Sequence, residues 1–228
     1  MQTSITISKA SLENSVGTRS NYLIFRNSKQ ETLVYYNCPK NANSSAKHFF
    51  MSHLGVIDQF KFLSDDIPQF KQTRSMYADK PDLINALPSK QPFAEFGREI
   101  DYKICLTREP VSRFLSAYSN RVVWHQDKQF GGLSIDEVLD RLLHGDFSNG
   151  HFLPQTYFLG HDLGYYDLAC DIKELNKFES FVNNFFNKNA PFPHIQKKAG
   201  EVALTLNKQQ INLIHKIYES DIELLKSK

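Results

Sequence analysis

Thr32-Leu33-Val34-Tyr35-Tyr36-Asn37-Cys38-Pro39-Lys40-Asn41-Ala42-Asn43-Ser44-Ser45-Ala46 is the stretch on which the reading of this chain turns. Its first half is β-branched and aromatic with no polar alternation, the pattern of a strand buried on both faces. Small and polar residues run from Pro39 to Ser45, and Ala46 to Leu54 reads as the start of a helix. A buried strand, a short loop and a helix N-terminus in that order present backbone N–H groups and the positive end of a helix dipole. That combination suits a phosphate. Lys40 adds a cation at the loop's entrance, and Ser44 and Ser45 add hydroxyl donors. A Walker A loop is excluded, because there is no glycine and the lysine stands four residues before the first serine. Taken alone, an Asn/Ser-rich turn with a solvated lysine accounts for the same residues.

A second strand is expected at Tyr102-Lys103-Ile104-Cys105-Leu106-Thr107, running into Arg108-Glu109-Pro110. Pro110 is well placed to open a helix, and Val111, Phe114, Leu115, Tyr118 and Val122 fall on one apolar face of it. Arg108 then sits at a strand end, and Ser112 and Ser116 lie on one flank of the helix at about 100° per residue. An arginine fork beside a hydroxyl is a natural partner for a terminal phosphate. A structural ion pair and serines bonding back to their own helix are the plainer reading, and for Arg113 the better one.

Further along, Ser134-x-x-Glu137 is a capping box for a helix to about Leu143, closed by Gly145. Asp167–Ile172 reads as a third strand, Leu175–Phe186 as a helix and Asn207–Leu225 as one long terminal helix. Residues 1–30 are polar with weak alternation, as in Thr3–Ile7, and suggest a peripheral strand or an ordered arm. Residues 55–100, with Pro68, Pro81, Pro88 and Pro92, suggest an irregular excursion of the sort that carries substrate contacts. Strands alternating with helices in 228 residues predict a single α/β domain, a parallel sheet flanked by helices.

A net charge of +2 argues against nucleic acid as partner, so any anion site must be local. The three cysteines are far apart and read as reduced, buried small hydrophobes. Eight histidines form no His-x-His or His-Glu-x-x-His pattern, and no metal is expected. No apolar run approaches the ~20 residues of a membrane span, and the N-terminus lacks a signal-peptide pattern. The expectation is a soluble, cytoplasmic protein.

With these residues in view, Pro39-Lys40-x-Ala42-x-Ser44-Ser45 resembles the 5′-phosphosulfate loop of sulfotransferases. Arg108-Glu109-Pro110-x-x-Arg113-x-x-Ser116-Ala117-Tyr118 resembles their 3′-phosphate motif. The variant is similar to the Golgi carbohydrate sulfotransferases of the chondroitin and HNK-1 type. His151-Phe152-Leu153-Pro154-Gln155, Cys170–Glu179 and Leu206–Leu224 resemble later segments of that group, in the same order. The resemblance runs from about residue 32 to the C-terminus. Phe152 stands where a tryptophan is usual, Ser44 where threonine is commoner, and the relatives' membrane anchor and disulfides have no counterpart.

The resemblance implies a P-loop-like sulfotransferase fold and 3′-phosphoadenosine-5′-phosphosulfate (PAPS) as donor, with no metal. Lys40, Asn41, Ala42, Asn43, Ser44 and Ser45 would hold the 5′ side, and Arg108 and Ser116 the 3′-phosphate. Lys40 would also stabilise charge on the leaving oxygen. The acceptor hydroxyl, implied to be on a saccharide, needs a general base. His151 follows Ser148-Asn149-Gly150 and precedes a proline turn, so it is the first candidate. His125 and Glu95 are the others, while His48 and His53 read as helix-face residues. Lys197 and Lys198 read as solvated charges that would lie near a nucleotide or acceptor. A kinase fails on the missing glycines and the lack of an evident Mg²⁺-binding acid. A non-catalytic nucleotide- or glycan-binding protein of the same fold remains the alternative.

Overall fold

The structure is a computed structural model that describes residues 22–29, 31–55, 100–193 and 204–227. Four strands form one sheet in the order β1-β2-β3-β4: β1 (Tyr22–Arg26), β2 (Thr32–Tyr36), β3 (Tyr102–Thr107) and β4 (Leu168–Asp171). The last three are mutually parallel, with Tyr36 opposite Cys105 and Cys105 opposite Ala169. The expected parallel sheet is therefore present, with one antiparallel strand added, since β1 pairs β2 with Leu23 opposite Tyr35.

Period-two alternation sorts the strand residues onto two faces. Leu33, Tyr35, Ile104, Leu106 and Cys170 point to a core shared with helix α1 (Asn43–Leu54) and helix α5 (Leu175–Phe186). Val34, Tyr36, Cys105 and Ala169 point the other way, onto the short helix α4 (Thr156–Leu159), Tyr166 and Leu224. Burial on both faces is why β2 shows no polar alternation. A second core lies among α2 (Pro110–Tyr118), α3 (Ile135–Leu143) and α6 (Lys208–Ile217), around Phe114, Phe152, Leu139 and Ile214. Phe152 is fully buried there, 5.8 Å from the Phe114 ring and 5.3 Å from that of Phe130.

Several elements differ in extent from their sequence expectation. Helix α1 begins at Asn43, so Asn43, Ser44 and Ser45 are its first turn and not part of the loop. Helix α2 ends at Tyr118, and Ser119–Trp124 continues as a π-helical turn closed by His125 N–H donating to the Asn120 carbonyl at 3.1 Å. The terminal helix is two: α6 stops at Ile217, and α7 spans Glu219–Lys226. The break at Tyr218 frees its hydroxyl to donate to the Phe152 carbonyl at 2.8 Å and turns Asp221 inward, where it accepts from Thr156 N–H at 3.0 Å. The capping boxes at Ser134 and Asn207 form in full.

Within 1–30 the strand observed is Tyr22–Arg26, whereas Thr3–Ile7 lies outside the described residues. So do residues 56–99 with Glu95, and Lys197 and Lys198. Cys38, Cys105 and Cys170 are free and buried, as expected, and burial pushes the Cys38 thiol up to about 12. Among the described residues no helix is long and apolar enough to cross a membrane.

Candidate active site

β2 and β3 are parallel neighbours, so the loops that leave them emerge side by side at the carboxyl edge of the sheet. In open α/β sheets that edge is where ligands bind. The loop after β2 is held in an unusual conformation, with Lys40 at φ 72° and Ala42 at φ 53°. Neither is glycine, and each left-handed residue costs about 1–2 kcal/mol, so the surroundings must impose the shape. Consecutive turn residues of this kind aim backbone N–H groups into one concavity.

Three anchors impose it. Asn41 is fully buried, and its amide donates to the Leu106 carbonyl and to Gln155 Oε1, both at 2.7 Å. Arg113 is 2% exposed, and its Nε donates to the Pro39 carbonyl at 3.1 Å. Arg108 donates through a terminal nitrogen to the Lys40 carbonyl at 2.9 Å and through Nε to Ser112 Oγ at 3.1 Å. Two arginines of the second motif thus grip the two carbonyls on either side of the loop's lysine. The two motifs are neighbours.

The helix that follows is open at its N-terminus. Its N-cap, Ala42, has no side-chain oxygen to offer, and the first turn carries no acidic residue. The leading N–H groups of a helix have no intrahelical acceptor, and at this end those groups belong to Asn43, Ser44 and Ser45. Asn41 stands among the expected 5′ contacts. Its side chain is committed to the scaffold, and its N–H donates to the Cys38 carbonyl at 3.3 Å.

At the second motif, Glu109 caps α2 by accepting from Val111 N–H at 2.7 Å and Ser112 N–H at 2.8 Å, with Pro110 at the first helical position. Ser112 Oγ donates to the Glu109 carbonyl at 2.9 Å and so orients the Arg108 fork. Ser116 lies one turn further on the same flank, half-buried. Behind this surface Arg113 shares a buried site with Asp221 of α7, which is 0% exposed. Burial pushes the Asp221 carboxyl above its ordinary value, and the Arg113 charge pulls part of that shift back.

Three functional residues were not singled out by the sequence reading. Gln155, noted only as part of a resemblance, clamps both loops. Its Oε1 accepts from Asn41 and from Arg108 N–H (2.9 Å), and its Nε2 donates to the Arg108 carbonyl at 2.7 Å. Asn120 and Arg121 sit on the π-helical turn. Asn120 Oδ1 accepts from Lys40 Nζ at 2.9 Å, and Arg121 donates to His151 Nε2. Two consecutive residues of the widened turn thus reach the lysine and the histidine; single π-turns in α-helices are frequent at functional sites. The sequence carries no signal of the turn, since the apolar stripe runs on to Val122 at helical spacing.

Of the base candidates, His151 joins the Lys40 neighbourhood through this turn. His125 is exposed at the turn's C-cap. His53 is a core residue, its ring nitrogens on the Phe49 carbonyl (2.9 Å) and Asn183 Oδ1 (2.7 Å).

The arrangement defines a class: an α/β protein whose Lys40 loop and Arg108 motif are hydrogen-bonded to each other at the carboxyl ends of adjacent parallel strands, with His151 linked to the same neighbourhood through the π-helical turn. The chain belongs to the sulfotransferase family, whose sequence model matches residues 24–226 and so takes in part of β1 as well as all that follows. No individual curated protein and no solved structure matches the chain significantly.

Proposed function

We propose that the protein transfers the sulfuryl group of PAPS to a hydroxyl of a saccharide. The observation that supports this most is the hydrogen bond from Arg108 to the Lys40 carbonyl. It ties the Lys40 loop to the Arg108 motif, and this closeness supports a ligand that carries phosphates at both the 3′ and 5′ positions of one adenosine. The open N-terminus of α1, with Ser44 and Ser45, takes the 5′-phosphate, and Arg108 with Ser116 takes the 3′-phosphate. Lys40 Nζ stabilises charge on the bridging oxygen as the S–O bond breaks, and Asn120 holds that ammonium in the meantime. His151 receives the acceptor's proton. Positioning and charge stabilisation carry such a transfer, with no covalent enzyme intermediate, by analogy with phosphoryl transfer.

Arg108→Ala removes a charged fork from the 3′ site. Binding of 3′,5′-adenosine bisphosphate should weaken by about 10- to 100-fold, on the scale of ~1.5–3 kcal/mol for hydrogen bonds to charged groups. Titration calorimetry measures it, and 5′-AMP, lacking the 3′ group, should lose far less.

Support for a saccharide comes from Trp124, the chain's single tryptophan, which is 50% exposed. It lies four residues after Asn120, and a turn closed by i→i+5 bonds takes about four to five residues, so both fall on one side. An exposed aromatic face beside polar catalytic groups suits the C–H face of a sugar ring. Because no other indole is present, fluorescence excited at the red edge, where the ten tyrosines do not absorb, reports on this residue alone. Trp124→Ala should raise the acceptor KM about tenfold, roughly 1.4 kcal/mol, and leave donor affinity unchanged.

The direct test is transfer from labelled PAPS to a panel of mono- and oligosaccharides. Labelled product supports the reading. Tight binding of the bisphosphate with no transfer to any member would favour a non-catalytic binding protein instead.

A further inference from the structure

His151 is held in a closed circuit. Arg121 donates to its Nε2; Arg121 also pairs with Asp127 Oδ1 at 3.6 Å; Asp127 Oδ2 accepts from Asn149 Nδ2 at 2.8 Å; and Asn149 Oδ1 accepts from His151 N–H at 3.1 Å. The circuit ties the π-helical turn to the loop before α4, and it fixes both the backbone and the ring of His151.

A guanidinium has five donors and no acceptor. A ring nitrogen that receives its hydrogen bond therefore carries the lone pair, and the ring proton sits on Nδ1. In this arrangement the one basic atom of His151 is covered by a cation. We propose that Arg121 is a positioning residue that selects the Nδ1–H tautomer of His151 and covers Nε2 until the substrates draw the guanidinium aside. The catalytic part rests on the assignment of His151 as base; the tautomer does not.

The reaction step then has a defined order. With donor and acceptor bound, Arg121 turns toward the sulfonate oxygens, whose negative charge attracts it, while Asp127 keeps it tethered. The acceptor's O–H proton passes to the exposed Nε2 as its oxygen forms the new O–S bond. The old S–O bond breaks, its electron pair staying on the 5′-phosphate beside Lys40. Without the cap, Nε2 faces whatever enters the site, including water, which would take the sulfuryl group as inorganic sulfate.

Nitrogen-resolved NMR of the histidine rings in the ligand-free full chain tests the tautomer directly, with His151→Asn identifying the resonance. The wild type should show Nδ1 protonated and Nε2 as acceptor. Arg121→Ala should lose that pattern, and Arg121→Lys, whose ammonium still donates to Nε2, should keep it. In kinetics, Arg121→Ala should lower kcat for the acceptor by about 10- to 100-fold, the scale of a misplaced catalytic group. Its release of sulfate from PAPS without acceptor should rise several-fold. Arg121→Lys should recover most of both. An Nε2-protonated ring in the wild type, or the same ring state in Arg121→Ala, would overturn the proposal. So would a ring change in Arg121→Ala with no change in transfer or in sulfate release. If His151→Asn transfers at the wild-type rate, the base assignment is what fails, and the NMR arm still decides the tautomer.

Discussion

Arg113→Met is expected to lose about 1–3 kcal/mol of stability at neutral pH, the cost of leaving the Pro39 carbonyl without its donor and the buried Asp221 without a nearby positive charge. For a domain stabilised by ~5–15 kcal/mol in all, that is a large share. Arg113 is always charged, lies 98% out of solvent contact by its 2% exposure, and holds the Pro39 carbonyl at 3.1 Å. Asp221, with no exposure at all, would then face Met instead of the guanidinium. The loss should depend on pH with a definite sign. The native carboxyl of Asp221 already sits above its ordinary value of 3.8 because of burial, and removing Arg113 takes away the charge that lowers it. A raised native value means that the folded state holds its proton more tightly than the unfolded chain. The penalty is absent below the unfolded value and grows as pH rises through the native one. Urea denaturation should therefore show the variant's deficit shrinking from neutral pH toward about pH 4. Arg113→Met with Asp221→Asn should recover part of the loss, since the amide carries no charge and its oxygen still accepts from Thr156 N–H. A single variant as stable as the wild type would contradict this account of the buried pair.

Lys40→Ala is expected to lower turnover by roughly 10²–10³-fold, the usual scale for losing one preorganised electrostatic contact to a developing charge. The φ of 72° at this position is strained for alanine as it is for lysine, and the Arg108 and Arg113 contacts go to backbone carbonyls that the substitution leaves in place. The loop should keep its shape, so affinity for 3′,5′-adenosine bisphosphate should change much less than turnover. Asn120→Ala, which only frees the ammonium, should cost about tenfold. Near-normal turnover of Lys40→Ala would remove the lysine from the mechanism.

Much of the fold was legible because local chemistry and burial agree in it. The uninterrupted apolar run of β2, Pro110 after a strand end, and the Ser134 capping box each lead to an element that begins near where it is expected. What escaped depends on tertiary contacts. The break at Tyr218 interrupts a good helical period because its hydroxyl and the Asp221 carboxyl have distant partners, Phe152 and Thr156. The start of α1 at Asn43 follows from Ala42 taking a left-handed conformation that no propensity favours.

The candidate site divides in the same way. The loop and arginine motifs are contiguous in sequence, and the structure brings them together. Asn120, Arg121 and Gln155 act across 80, 30 and 114 residues of chain, on Lys40, His151 and Asn41 respectively. Such partners leave no periodic or local mark. The Asn41 amide bonds the Leu106 carbonyl, a contact across 65 residues of chain that a loop asparagine does not announce.

The account stands on a single nucleotide bridging the Lys40 loop and Arg108. Differential scanning of thermal stability with 3′,5′-adenosine bisphosphate, set against 5′-AMP and against ATP with Mg²⁺, measures that bridge most directly. At 100 times its dissociation constant the bisphosphate should stabilise the fold by about 2.7 kcal/mol, with much smaller shifts from the other two at the same concentration. Equal stabilisation by 5′-AMP, or a shift with ATP and Mg²⁺ alone, would contradict it.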